Sequence, residues 1–198
     1  MLLLELFKGT GSVGKVAKKL GFDVISIDIE DKYEPDILID ILELDYTKLP
    51  IPDFIWASPP CNTYSSLAYP LKERNIKTAK PISKRAKVGT KILYKTLEII
   101  DYFSIKNPNL AFVIENPKGM MRNDSKIKKL ILNHTYYCNY GDMRRKSTDF
   151  FSNYPLYLNP EPCKGSKSVV DLPLNERYKI PAKLIKHIFL VYLNAFSK

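Results

Sequence analysis

With 198 residues the chain is long enough to bury one full core without disulfide or metal staples. Its 45% hydrophobic and 26% charged residues are those of a globular protein, and no apolar run nears the roughly 20 residues of a membrane span. The 31 Lys and Arg against 21 Asp and Glu leave a net charge of +10, which suits either a polyanionic partner or a lysine-rich composition without that role; the uneven spread of the basic residues favours the partner.

Leu2–Phe7 is almost wholly apolar and reads as a first strand buried on both faces. The basic n-region and small-residue cleavage site of a signal peptide are missing ahead of it, so an intracellular protein is expected. Gly9-Thr10-Gly11-Ser12-Val13-Gly14 follows, and then Val13, Val16, Ala17 and Leu20 fall at helical spacing up to Gly21. Val24–Asp28 is a second strand ending in an acid. A strand, Gly-rich loop, helix and strand in that order make a βαβ start, which sets the class as α/β. Ile37–Asp40 reads as a short third strand, again ending in an acid, and Asp53–Ser58 as the fourth.

The fourth strand runs into Pro59-Pro60, which cannot extend a ladder, and then presents Cys61. A thiol just past the carboxyl end of a central strand sits where an open α/β sheet builds its ligand crevice, although a buried structural cysteine after a turn looks the same locally. The three cysteines, Cys61, Cys138 and Cys163, give neither an even disulfide framework nor a CxxC pair, so a reduced chain with a free thiol is expected.

From Leu71 to Lys91 eight Lys and Arg face a single acid, Glu73, in a long polar connection suited to phosphates. Residues from about Lys87 to Lys106 form an amphipathic helix, and Leu110–Glu115 a fifth strand ended by Asn116-Pro117. A short helix is expected from Ser125 through Leu132, with further strands at Tyr136–Tyr140 and Phe150–Phe151. Asn153–Glu176, rich in proline, reads as an extended surface excursion, and Pro181 opens a last helix to about Phe196. Neither a repeat nor a linker divides residues 1–198, so one domain is expected.

Gly9–Gly14 fits GxGxxG, which turns backbone amides and a helix N-terminus toward a ligand. The same stretch through Lys15 mimics a phosphate-binding P-loop, but Val16 stands where a hydroxyl must hold Mg²⁺, against a nucleoside triphosphatase. Asp28 is placed to accept from a ribose diol and Asp40 from an adenine amino group, which together point to an adenosine-bearing cofactor.

Taken in order, Glu5-Leu6-Phe7-Lys8-Gly9-Thr10-Gly11-Ser12, Asp28, Asp40-Ile41, Pro59-Pro60-Cys61 with Ser65, Gly89-Thr90 and Glu115-Asn116 resemble the S-adenosylmethionine-dependent cytosine-C5 methyltransferases. The likeness is to the compact virus- and phage-encoded members, which carry Glu-Asn-Pro at the last of these elements. It covers roughly residues 2–120 well, is weaker over Tyr140–Phe151 and only suggestive over Arg177–Ile185.

The resemblance implies a Rossmann-like class I methyltransferase fold, with a mostly parallel sheet and helices on both faces. It implies S-adenosyl-L-methionine as cofactor, lined by Phe7, Gly9, Thr10, Gly11 and Ser12, with Asp28 on the ribose, Asp40 and Ile41 at the adenine, and Ile29 and Pro59 completing the set. Ile29 stands where an aromatic often stacks on adenine. It implies Cys61 as the nucleophile that adds to C6 of cytosine, Glu115 as the acid at N3, and Asn116 as the holder of the strand-end turn. DNA is the expected substrate, with RNA left open, and Ser65, Lys84, Arg85, Lys87, Arg144, Arg145 and Lys146 are the expected nucleic-acid contacts.

Two departures stand out. The family's paired arginines after Tyr-Gly align with Lys146 and Thr148. In place of a large target-recognition region stands only about 152–176, so short or relaxed specificity, or a partner that supplies it, is expected from a chain acting alone or with an accessory subunit. Two other readings remain at this point. Ser58-Pro59-Pro60 fits part of the signature of enzymes that methylate the exocyclic N4 of cytosine, and a lysine-rich chain of this fold also suits a non-catalytic DNA-binding subunit.

Overall fold

The computed structural model describes residues 1–164 and 172–196. Seven strands form one sheet: β1 (Leu2–Leu6), β2 (Asp23–Asp28), β3 (Ile37–Leu38), β4 (Phe54–Ala57), β5 (Ala111–Pro117), β6 (Ile131–Tyr136) and β7 (Ser147–Ser152). Their spatial order is β3-β2-β1-β4-β5-β7-β6. The first five run parallel, and the β6–β7 hairpin adds two antiparallel strands beside β5. The expected α/β class and Rossmann-like sheet are therefore present.

Chain order explains where a ligand belongs. From β1 the chain steps outward to β2 and β3, then returns to lay β4 on the other side of β1. The connections diverge between β1 and β4, and a crevice opens above their carboxyl ends. Both strands are short apolar runs buried on both faces, as central parallel strands must be.

Period-two alternation divides the core. Leu4, Leu6, Ile55 and Ile114 face helix α2 (Lys84–Lys106), whose Leu93, Leu97, Ile100 and Phe103 pack on them. Leu3, Phe54, Trp56 and Val113 face the other way, onto Val13 and Ala17 of α1 (Ser12–Lys19) and Leu184, Ile185 and Phe189 of α4 (Ala182–Phe196). Each side chain of this size taken from water contributes about 1.5–3 kcal/mol. A five-residue helix, α3 (Leu174–Tyr178), precedes α4.

Several expected elements differ. Helix α2 begins at Lys84 rather than Lys87, because Ser83 accepts from Ala86 N at 3.0 Å and caps it. Ser125–Leu132 is not a helix; it is a short 3₁₀ turn leading into β6, whose residues pair with β7. Tyr136–Tyr140 is mostly the turn that leaves β6, and the third strand ends at Leu38.

The stretch after β7 is also not a free excursion over its first half. Tyr154 and Leu156 are buried in the α1–α4 face, Thr135 Oγ1 donates to the Asn159 carbonyl at 2.6 Å, and Cys138 is disulfide-bonded to Cys163. That pairing corrects the expectation that no disulfide forms. Of the expected recognition insert, residues 165–171 lie outside the described residues, and its end from Leu174 is helical in α3.

Candidate active site

The carboxyl ends of β1, β2, β4 and β5 surround a cavity of about 360 Å³. Phe7, Gly9, Thr10 and Ser12 enter it from β1 and the loop after it, Asp28 and Ile29 from β2, Pro59 and Cys61 from β4, and Glu115 from β5. Nine residues singled out from separate parts of the sequence thus line one cavity, joined by Lys146 at the start of β7.

The cofactor-side loop is held from beneath. Gly9 N–H donates to Asp28 Oδ2 at 2.8 Å and Glu30 N–H to Asp28 Oδ1 at 2.9 Å, so one carboxylate fixes two loops. Phe7 adopts a left-handed φ of 64°, rare for a bulky side chain and typical of residues held at functional sites. Glu5 contributes a less expected group. It is 2% exposed and its Oε2 has no hydrogen-bond partner, although it reaches the cavity wall. Burial pushes its pKa up to about 7.

Cys61 and Asn116 belong to two loops sewn together. Asn116 Nδ2 donates to the Pro59 carbonyl at 3.1 Å, Met120 N to the Tyr64 carbonyl at 2.6 Å, and Ser66 N to the Lys118 carbonyl at 3.2 Å. Gly119 is required there, since a Cβ would lie 2.2 Å from the Tyr64 oxygen. Cys61 is the free cysteine, and its carbonyl accepts from Tyr64 N and Ser65 N, both at 2.9 Å. Burial raises the pKa of its thiol, Glu115 raises it further, and Lys146 opposes both.

Around Glu115 stands a cluster that the sequence reading missed in part. The buried Tyr137 hydroxyl donates to Glu115 Oε1 at 3.2 Å, and Lys146 Nζ donates to Tyr137 Oη at 3.4 Å and lies 3.7 Å from Glu115 Oε1. Burial holds Tyr137 well above the ordinary phenol value, so it stays a neutral donor. Lys146 also donates to the Arg177 carbonyl, tying α3 and its Tyr178 against the cavity. Nothing local marks Tyr137 or Tyr178; only the hairpin and the last turn before α4 bring them in.

Other expected residues fall outside the cavity. Gly11 faces a separate hollow behind the loop. Asp40 and Ile41 do not line the cavity either: Asp40 Oδ1 accepts from Leu42 N at 2.9 Å, and Ile41 is packed in the core. Among the expected nucleic-acid contacts, Ser65 is buried against Gly119, and Arg144 is buried with its guanidinium on Asp142 and on the Glu176 and Lys179 carbonyls. Both face inward, because the chain uses them to hold loops. Lys84, Lys87 and Arg145 are exposed; Arg85 is exposed but paired with Glu73.

No family model matches the chain. It is 32% identical over 185 residues to a protein of Frog virus 3 described as a probable DNA (cytosine-5)-methyltransferase, covering 88% of this chain and 80% of the relative. Among solved structures, the Dnmt2 methyltransferase of S. pombe matches with a TM-score of 0.55 at 17% identity, over 86% of this chain and 54% of that one. DNMT2 of Spodoptera frugiperda matches with a TM-score of 0.51 at 18% identity, over 81% and 53%. The chain spans about half the length of these two solved structures, and at such identity they establish the fold alone.

Proposed function

The chain belongs to the DNA (cytosine-5)-methyltransferase family, and from that premise we propose that it transfers a methyl group from S-adenosyl-L-methionine to C5 of cytosine in DNA through a covalent bond between Cys61 Sγ and C6. The observation that carries this reading is the meeting of Cys61 and Glu115 in one cavity that Phe7, Gly9, Thr10, Ser12 and Asp28 also line.

The cavity suits the cofactor. Asp28 offers a carboxylate for hydroxyl groups, and Phe7, Ile29 and Pro59 offer apolar contact. When bound, the cofactor supplies an electrophilic methyl group on a sulfonium. Every remaining task falls to the protein. C5 of cytosine is a weak nucleophile until the ring's aromaticity is broken. Cys61, as thiolate, forms the Sγ–C6 bond, and the electron pair moves toward N3, where the Glu115 carboxyl donates a proton. C5 then takes the methyl group, its proton leaves to a base, Glu115 recovers the N3 proton, and the Sγ–C6 bond breaks.

Lys146 serves this sequence by favouring the thiolate, and Tyr137 by holding Glu115 Oε1. C6 is unreachable in a stacked duplex, so the target base enters the cavity extruded or from a single strand. Lys72, Lys77, Lys80, Lys84 and Lys87 are all exposed on the segment after Cys61 and supply phosphate contacts, which position without specifying. Relaxed or short sequence specificity follows. Amino-group methylation at N4 finds no support in the site: Glu115 would have no task, and Ser58 Oγ already accepts from Trp56 Nε1 at 3.2 Å.

The test is covalent trapping on DNA containing 5-fluorocytosine with cofactor present. A cofactor-dependent adduct in the wild type and none in Cys61→Ala supports the mechanism. Methyl transfer by Cys61→Ala at the wild-type rate overturns it, and base-resolution mapping of product on DNA and RNA reports the substrate.

A further inference from the structure

Arg74 lies in the basic segment after Cys61, yet it is the member of that segment that is not on the surface. It is 2% exposed, and every hydrogen-bond acceptor of its guanidinium is neutral. Nε donates to Thr63 Oγ1 at 3.0 Å, Nη1 to Thr90 Oγ1 at 2.8 Å and to the Ala79 carbonyl at 3.1 Å, and Nη2 to the Ala86 carbonyl at 2.7 Å. Its Cζ sits 3.5 Å from the centre of the Tyr64 ring. Burying a cation is expensive; four hydrogen bonds, the aromatic face beneath and the nearby charges of Asp124 and Glu73, neither of which it hydrogen-bonds, offset it.

The partners fall into two groups. Thr63 and Tyr64 belong to the loop whose first residue is Cys61, and Tyr64 N closes onto the Cys61 carbonyl. Ala86 and Thr90 belong to the first turns of α2, and Ala79 to the lysine-rich segment. Gly89 makes room for the clamp, since a Cβ there would lie 3.1 Å from Arg74 Nη2 and 3.2 Å from Thr63 Oγ1. The far side of the same loop is held by Asn116 and Met120. With Arg74 in place, the Cys61 loop is gripped from both sides.

Resting on the methyltransferase reading above, we propose that Arg74 is a positioning residue for Cys61, clamping the nucleophile loop to α2 and to the phosphate-facing segment. It touches neither substrate nor cofactor. A lysine cannot reproduce the grip, because a point charge with three rotating donors does not span four acceptors in one plane.

The test compares wild type with Arg74→Lys and Thr63→Val, the second keeping side-chain shape while removing the acceptor of Nε. Folding is checked by circular dichroism and thermal melting. Two readouts follow: alkylation of Cys61 by iodoacetamide against pH in the ligand-free protein, and steady-state methyl transfer. A loosened loop lets water reach the thiol, so both variants are expected to alkylate faster, with the midpoint moved down toward an ordinary thiol. Their kcat is expected to fall ~10- to 100-fold, the penalty of a misplaced reacting atom, while the cofactor KM stays within about twofold.

Alkylation profiles that superimpose on wild type in the folded variants overturn the proposal. If Arg74→Lys does not fold, Thr63→Val decides it alone. If the wild type transfers no methyl group to cytosine, the functional reading fails, while the alkylation profiles still decide whether Arg74 holds Cys61.

Discussion

Tyr137 Oη lies 3.2 Å from Glu115 Oε1, a contact between the turn after β6 and the end of β5, residues 22 apart in sequence. It fixes one oxygen of the carboxyl that the mechanism needs at N3, on a residue that lines the cavity. A hydrogen bond to a group that is charged for part of the cycle contributes about 1.5–3 kcal/mol. Tyr137→Phe is therefore expected to lower kcat about tenfold or more at unchanged cofactor KM, because the lost donor acts on the acid and not on the cofactor wall. Steady-state kinetics on DNA check it; a kcat equal to wild type would show that Glu115 is held by other groups.

The Cys61 thiol titrates under two opposing neighbours. Burial and Glu115 hold its pKa above the ordinary thiol range, and Lys146 pulls it down. Removing the cation in Lys146→Met should shift the pH midpoint of Cys61 alkylation up, and removing the acid's charge in Glu115→Gln should shift it down. Alkylation rates measured against pH in the three proteins test both signs, and identical midpoints would mean that neither group acts on the sulfur.

These two clusters mark how far the sequence carried. The β1–β5 strands and the Gly-rich loop are legible as local patterns, apolar runs ended by short motifs, and the Cys61–Glu115 pair through the ordered set of motifs that carries the family resemblance. Tyr137, Tyr178 and the inward turn of Arg144 are not, since those depend on a hairpin folding back beside β5 and on a helix of five residues. Arg74 shows the same limit from the other side. Within a run of surface cations, only tertiary contacts distinguish the one that is buried. Asp40, expected at the adenine from its place after the third strand, is absent from the cavity lining, and its Oδ1 accepts from Leu42 N.

The Cys138–Cys163 bond ties the turn that carries Tyr137 to the strap after β7, with 25 residues of sequence separation. Closing a loop of that length removes unfolded-state entropy worth about 3 kcal/mol. Dithiothreitol is accordingly expected to lower the melting temperature of the wild type by several degrees, on the order expected for a domain of this size. Cys163→Ser should melt at the lower temperature with or without reductant. Differential scanning calorimetry checks this, and a wild-type melting point indifferent to reductant would show the two thiols unpaired in solution.

Glu5 makes stability depend on pH in a direction opposite to that of a salt-bridged carboxylate. Its folded pKa is raised, by burial above all, from 4.5 to about 7. Below pH 4.5 both the folded and the unfolded chain hold the proton, and the group contributes no penalty. Between about 4.5 and 7 the unfolded chain releases it while the folded chain keeps it, so the unfolded state binds fewer protons and stability falls as pH rises. Above about 7 the folded protein ionises too, and the loss levels off at on the order of 3 kcal/mol. Glu5→Gln keeps a neutral group of similar shape and should lack this component, so it should gain stability on wild type as pH climbs from 5 to 8. Urea unfolding of both proteins across that range reads the difference, and parallel curves would mean that the Glu5 carboxyl is ionised in the folded state.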